Sequence, residues 1–162
     1  MTPLTEREIR SSFANCSKGE ATRAQLPDLD ETPWADLDFL GWPDPSGSQR
    51  AYLVLERDGR PLGLQLRQSS GAGAARSSLC QVCITSHSGP GVALAVARKT
   101  GAAGRKGDST GLWMCRDLRC SLYVRGTRVS GAASLRETLP VGAAVERLRR
   151  NLDQFVDRVL AG

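Results

Sequence analysis

One histidine, His87, is present in 162 residues, along with only eight aromatic side chains. A lone imidazole leaves Ser-His-Asp and Cys-His arrangements a single possible base, so most nucleophilic hydrolase chemistries lack their apparatus. The few aromatics, set against 17 glycines, predict a modest core interrupted by many turns. No apolar run approaches the roughly 18–20 residues that span a bilayer. The opening "MTPLTEREIR" is polar and lacks the apolar stretch of a secretory signal. These absences give a cytoplasmic expectation, in a reducing compartment where structural disulfides are disfavoured. A phosphate cradle of the G-x-x-x-x-G-K-[ST] kind is also missing; "GAAGRKGDST" has its composition without its order. The chain reads as a non-enzyme.

An apolar fraction of 40% and a charged fraction of 24% belong to a folded chain, and its length suits one domain. The net charge of +5 is unevenly spread. Residues 1–50 carry five basic and nine acidic side chains, whereas residues 98–150 carry twelve basic and four acidic. A basic segment of this kind attracts polyanions or acidic protein surfaces, or is simply a solvated face.

Local signals order the elements. Thr5 and Glu8 form a T-x-x-E capping box, with Leu4 and Ile9 at the staple positions, and predict a helix running to about residue 24. Cys16 falls on its apolar stripe as a small buried hydrophobe. Residues 26–49, dense in proline and acid, read as a loop with a short helical turn whose Trp34 and Trp42 pack onto the body. "AYLVLE" and "LGLQLR" flank Asp58-Gly59, which suits a two-residue hairpin turn. Residues 69–78 read as a flexible approach, "GVALAVARK" and "GLWM" as strands around a glycine-rich loop, and "DLRCSLYVRG" as a short helix. A last helix follows Pro140, with Val141, Val145, Leu148, Leu152, Phe155 and Val159 on one seam.

Five cysteines, an odd number, fit a disulfide framework poorly. Four of them are spaced C-x2-C, 31 residues, C-x4-C: Cys80, Cys83, Cys115 and Cys120. Two paired thiolates delivered from separate segments are the ligand set of one tetrahedral Zn²⁺. The order of knuckle, two strands, then a cysteine ending a strand and another opening a helix is the plan of a treble-clef zinc finger. An iron–sulfur site fits this spacing less well. His87, four positions after Cys83, could replace one sulfur. With every position filled by protein, such a zinc is structural rather than catalytic.

The segments "LTEREIRSSFANCSKGE", "WADLDFLGW", "LCQVCITSHSGPGVALAVARK" and "MCRDLRCSLYVRG" together resemble the FBP family, elongation factor G-binding proteins with a C-terminal treble-clef zinc finger. The likeness is to the actinobacterial type and spans nearly the whole chain. More distantly, the cysteine segments resemble the C-terminal domain of FusB-type fusidic acid resistance proteins. The resemblance implies an α+β fold in one domain, residues 1–162. Residues 1–70 would hold the N-terminal helix, acidic loop and additional β-hairpin. Residues 71–130 would form the treble clef (knuckle, β-hairpin, short helix), and residues 131–162 the C-terminal helix. It carries over the four cysteines as ligands of one structural Zn²⁺. It also implies elongation factor G as partner, with release of that factor from the ribosome as the associated role. No small-molecule substrate and no membrane enter this reading. FusB-type proteins have a further N-terminal helical bundle, whereas here one capped helix precedes the hairpin.

Arg98, Lys99, Arg116, Arg119, Arg125 and Arg128 are the candidate partner-binding cations, close in sequence to the second cysteine pair and the strand before it. The competing assignment pairs these arginines with acids of the N-terminal half, such as Asp36 and Asp38. The alternative function is a nucleic-acid-binding zinc finger docking on ribosomal RNA or DNA. Between residues 98 and 150 the only aromatics are Trp113 and Tyr123, which favours a protein partner over base stacking.

Overall fold

A computed structural model describes residues 1–70, 77–131 and 137–162. Among them the order is α1 (Glu6–Ser12), α2 (Lys18–Arg23), a 3-10 turn (Trp34–Asp36), β1 (Phe39–Pro43), β2 (Arg50–Arg57), β3 (Arg60–Gln68), β4 (Ser77–Leu79), β5 (Ser86–Ser88), β6 (Val92–Arg98), α3 (Gly101–Arg105), β7 (Ser109–Cys115), α4 (Cys120–Val124) and α5 (Val141–Leu160). The fold is α+β. Residues 71–76, inside the expected flexible approach, lie outside the described residues.

Five strands form an antiparallel sheet in the order β1-β2-β3-β6-β7, and β4 pairs with β5 in a separate ribbon. Asp58 (φ 52°) and Gly59 (φ 71°) make the turn between β2 and β3. Positive φ at both central residues matches the strands' own twist, so the register continues to Arg50 opposite Arg67. Each face of the sheet buries a different set. Ala51, Leu53, Leu55, Leu64, Leu66, Ala95, Ala97 and Met114 meet α5 and the cysteine-bearing loops. Tyr52, Val54, Leu40 and Trp42 meet Ile9, Phe13 and Leu37 of the N-terminal segment on the other side.

The N-terminal helix is two helices, not one continuous helix to residue 24. Phe13 leaves helical geometry and bridges to Gly63 of β3, and the Ala14 N–H donates to the Gly63 carbonyl. A second capping box then starts α2: the Ser17 hydroxyl accepts from the Glu20 N–H while the Glu20 carboxylate accepts from the Ser17 N–H. Arg10 donates to the carbonyls of Ala21, Thr22 and Ala24, satisfying the open end of α2. Cys16, in the break, is half-buried rather than on a buried helical stripe, and burial pushes its thiol up to about 11. Asn15 fills the gap where β3 and β6 diverge, donating to the carbonyls of Gln65 and Arg98 and accepting from the Gln65 N–H.

Residues 26–49 hold more structure than a loop with one turn. The 3-10 turn is present, and β1 follows it as an edge strand. Trp42 is buried, stacks on Tyr52 at 5.2 Å and donates its indole N–H to the Gln25 carbonyl. Gly41 is required where β1 meets the second cysteine loop: a Cβ there would lie 2.7 Å from Leu118 Cβ and 2.9 Å from Phe39. The glycine-rich loop contains the single turn α3. On α5 the buried seam is Ala144, Leu148, Leu152, Phe155, Val156 and Val159, and Val141 is exposed. No helix among the described residues is long and apolar enough to cross a membrane.

Candidate metal centre

Each cysteine pair is carried by a local turn that its own sequence shapes. Between β4 and β5 the chain reverses over Cys80–Thr85. The Cys80 N–H donates to the Thr85 carbonyl at 3.0 Å and the Ile84 N–H to the Cys80 carbonyl at 2.9 Å. The Cys83 N–H points at Cys80 Sγ, 3.5 Å away, a contact that favours thiolate. The second pair starts where β7 ends. Leu118, in left-handed geometry at φ 59°, turns the chain so that its N–H reaches the Cys115 carbonyl, and Cys120 opens α4. Asp117 holds that turn, accepting from the Arg119 N–H and from the Tyr123 hydroxyl.

The two turns meet under the sheet. The Sγ atoms of Cys80, Cys83, Cys115 and Cys120 all lie within 4.8 Å of one another, and none of the four residues is more than 2% exposed. Cys83 and Cys115 are 3.5 Å apart, Cys80 and Cys120 3.7 Å. Four sulfurs about 2.3 Å from a tetrahedral zinc stand roughly 3.8 Å from each other, so this donor set fits the ion. Its electrostatics suit one. Hydrogen bonding from Cys115, then Cys120 and Cys80, pulls the Cys83 thiol far below its ordinary value. The same network, led by Cys115, and full burial drive Cys120 well above it. A dry cluster can share one anion in this way, but four thiolates coexist there only around a dication.

Sequence reasoning missed the layer around the sulfurs. His87 stands beside the four sulfurs: its Nε2 lies 3.2 Å from Cys115 Sγ, and its ring meets Tyr123 edge-on at 4.7 Å. Gln81, inside the knuckle, clamps the edge strand β7. Its N–H donates to the Trp113 carbonyl at 2.7 Å, and its Oε1 accepts from the Trp113 N–H at 2.8 Å. From α5, Asn151 donates to the Val82 carbonyl and Arg147 to that of Cys83. Only a folded chain brings residues 147 and 151 to the knuckle; no local pattern signals them.

The six candidate partner cations are not gathered on one surface. Arg125 is committed internally, as a 2.5 Å ion pair with Asp38, whose side chain is fully buried. Arg149 of α5 donates to the same carboxylate at 2.9 Å, and the Ser121 hydroxyl accepts from the Asp38 N–H. Burial alone would push the Asp38 carboxyl up; the Arg125 and Arg149 guanidiniums outweigh it and hold the carboxyl below its ordinary value. Arg116 folds inward onto the carbonyls of Pro90 and Ser69. Arg128 pairs with Asp117 at 2.9 Å and donates to the Tyr123 hydroxyl. Arg119 is exposed beside the cysteine turn. Arg98 and Lys99 lie at the far end of β6, in a cleft with Asn15 and Glu20.

Comparison with known proteins agrees with this geometry. The fusidic acid resistance protein FusC has a similar structure, with a TM-score of 0.61 at 16% sequence identity. The match covers 98% of this chain and 60% of FusC, so the chain spans well under the whole of that protein. No curated protein matches the chain significantly. The model of the FBP C-terminal treble-clef zinc-finger family matches residues 8–159, which include both cysteine turns, the sheet and α5 up to Val159. Four converging cysteines and a match over nearly the whole chain make this protein, which carries one structural zinc, a member of the FBP C-terminal treble-clef zinc-finger family.

Proposed function

We propose that the protein is a non-enzymatic binding module for elongation factor G, with Cys80, Cys83, Cys115 and Cys120 as the ligands of its zinc. The observation carrying this reading is the family match across residues 8–159, joined to a fold shared with a fusidic acid resistance protein over 98% of the chain. A tetracysteine site leaves no open coordination position for water, which supports a structural rather than a hydrolytic metal. The zinc fixes the second cysteine turn, and the exposed Arg119 on it is a cation held in place before any partner arrives. Pre-organisation of that kind lowers the ordering cost of association. Arg128 extends the contact, while Arg125 serves the fold through Asp38. Release of the factor from the ribosome, and the cytoplasmic location that this demands, follow from the same reading.

Calorimetric titration of purified elongation factor G into the zinc-loaded chain tests it. A saturable one-to-one association is expected, weakened severalfold in Arg119→Glu with zinc content unchanged, and slower to form as salt rises. Absence of heat and of co-elution at micromolar concentrations would remove the factor as partner.

A further inference from the structure

The N-terminal layer covers only part of its face of the sheet. Over β1, β2 and the start of β3 it buries Tyr52, Val54 and Trp42. It stops short of Arg50 and Arg67 and, apart from Asn15 and Glu20 beside Arg98, leaves β6 and β7 uncovered, and that half of the face is open. The register fixes what stands there. Arg50 lies opposite Arg67, Arg67 opposite Val96, and Val96 opposite Gly111, one row across four strands. In the next row Arg98 lies opposite Ser109, and on the other flank Leu94 lies opposite Trp113. Successive side chains alternate between faces, so Arg50, Arg67, Arg98 and Trp113 all project from the open half.

Two features of this half are costly to the fold. Like charges directly opposite across a strand pair are destabilising, and Arg50 and Arg67 are such a pair. Asp44 relieves Arg50 only at 3.8 Å, and among the described residues no carboxylate lies within ion-pair distance of Arg67 or Arg98. Glu20 is the acid in the cleft of about 610 Å³ that these three arginines line. Trp113 is 47% exposed, unlike Trp42 at 4%. Its backbone is clamped to Gln81 of the zinc knuckle on both sides of the peptide, so the indole is presented by a fixed edge strand. Gly111, without a side chain, keeps the surface between the indole and the arginine row flat.

We propose that this open half of the sheet binds single-stranded RNA, with Arg50, Arg67 and Arg98 on phosphates and a base stacked on Trp113. Charge decides against an acidic protein partner at this place. Protein interfaces bury an apolar centre and keep charge at the rim; here Arg50 and Arg67 share the middle row with Val96, Arg98 stands in the next row, and the apolar strip of Leu94, Val96 and Trp113 is narrow. Nucleic-acid interfaces are polar and strongly cationic, and single strands are held by a basic track plus aromatic stacking. The sequence concealed the site because the cations come from residues 50, 67 and 98 and the aromatic from residue 113. The inference stands or falls separately from the elongation factor reading.

The probe is a labelled 12-nucleotide oligouridine, titrated with full-length zinc-loaded protein at low salt and followed by anisotropy and tryptophan fluorescence. Saturable binding with quenching of the exposed indole is expected. Its affinity should fall with a log–log salt slope of about −2, as about three phosphate contacts on a single strand require. Trp113→Ala should weaken binding by about tenfold or more while Trp113→Phe retains most of it. Arg67→Ala and Arg98→Ala should each weaken binding and make the salt slope shallower, with zinc content unchanged. No binding by 100-fold excess protein, equal binding by all variants, or sensitivity to Arg67→Glu only in binding to an acidic protein would each overturn the proposal.

Discussion

The two faces of the sheet are held by different means. On one, four cysteines and small residues such as Ala51, Ala95 and Ala97 lie among aliphatic side chains, with Phe39 and Phe155 as the buried phenylalanines among the described residues. On the other, the short N-terminal segment packs through aromatics: Trp42 on Tyr52, Phe13 edge-on to Tyr52 at 5.7 Å, and Trp34 at the margin. A core that is mostly aliphatic is tied by a metal, and a core without a metal is built from large rings. If that division is right, each face should fail under its own perturbation and tolerate the other's.

Metal removal is the largest expected effect. Zinc binding in finger peptides is worth about 10–16 kcal/mol at neutral pH, against about 5–15 kcal/mol for the net stability of a whole domain. Loss of the ion therefore exceeds what the zinc face can withstand. Cys120→Ser, or a strong chelator, should abolish the cooperative thermal transition and leave zinc below one per chain by atomic emission. A sharp transition persisting in metal-free protein would show that the aliphatic core suffices alone.

Trp42→Ala probes the opposite face. The side chain is 4% exposed and gives up both its stack on Tyr52 and its bond to the Gln25 carbonyl. A destabilisation of about 3–5 kcal/mol is expected in urea unfolding, with zinc stoichiometry still one per chain. Loss of zinc in this variant would mean that the two faces are a single cooperative unit, and the comparison would collapse.

How much of this was readable beforehand follows from how local each signal is. The cysteine pairs were legible because each is a short turn with its own spacing, and the hairpin because Asp58-Gly59 specifies its geometry. The same two-residue turn already implied that Arg50 faces Arg67. The break after Ser12 was also written locally, in the capping box of Ser17 and Glu20, but the apolar spacing of Ile9, Phe13 and Cys16 argued for continuity. β1 was hidden for a physical reason: Phe39 and Gly41 face the zinc side while Leu40 and Trp42 face the aromatic side. A strand buried on both faces shows no polar alternation. The contacts of Asp38, His87 and Asn151 join residues 28 to 111 positions apart and needed the fold.

Asp38 bridges the two regions, so its loss should be intermediate. Asp38→Asn leaves Arg125 and Arg149 facing a neutral amide. Breaking a buried pair costs about 3–5 kcal/mol, but the Arg149 side chain is 62% exposed and recovers hydration, so about 2–3 kcal/mol is expected. The carboxyl is held below its ordinary value of 3.8, and a lowered folded-state value gives stability that is present above the unfolded one. The advantage of the wild type over the variant should thus be equal at pH 7 and pH 5. It should shrink only as pH falls through 3.8 and below. A difference that disappears between pH 7 and pH 5 would assign it to another group.

The smallest effect concerns strain on the zinc side. Ile84 follows the knuckle's second cysteine with φ at 60°, a left-handed conformation that a β-branched residue rarely adopts. The Ile84 N–H must reach the Cys80 carbonyl to close the knuckle, so the metal-held turn imposes this geometry. The side chain is 38% exposed, and packing gives little return for the strain. Ile84→Gly and Ile84→Ala both remove that packing, but only glycine relieves the backbone. The glycine variant should be the more stable of the two by about 1 kcal/mol, the reverse of their order inside a helix. The measurement is urea unfolding of both variants with zinc bound. Alanine equal to or above glycine would mean that the knuckle relaxes without cost, and that the zinc face stores no strain at this residue.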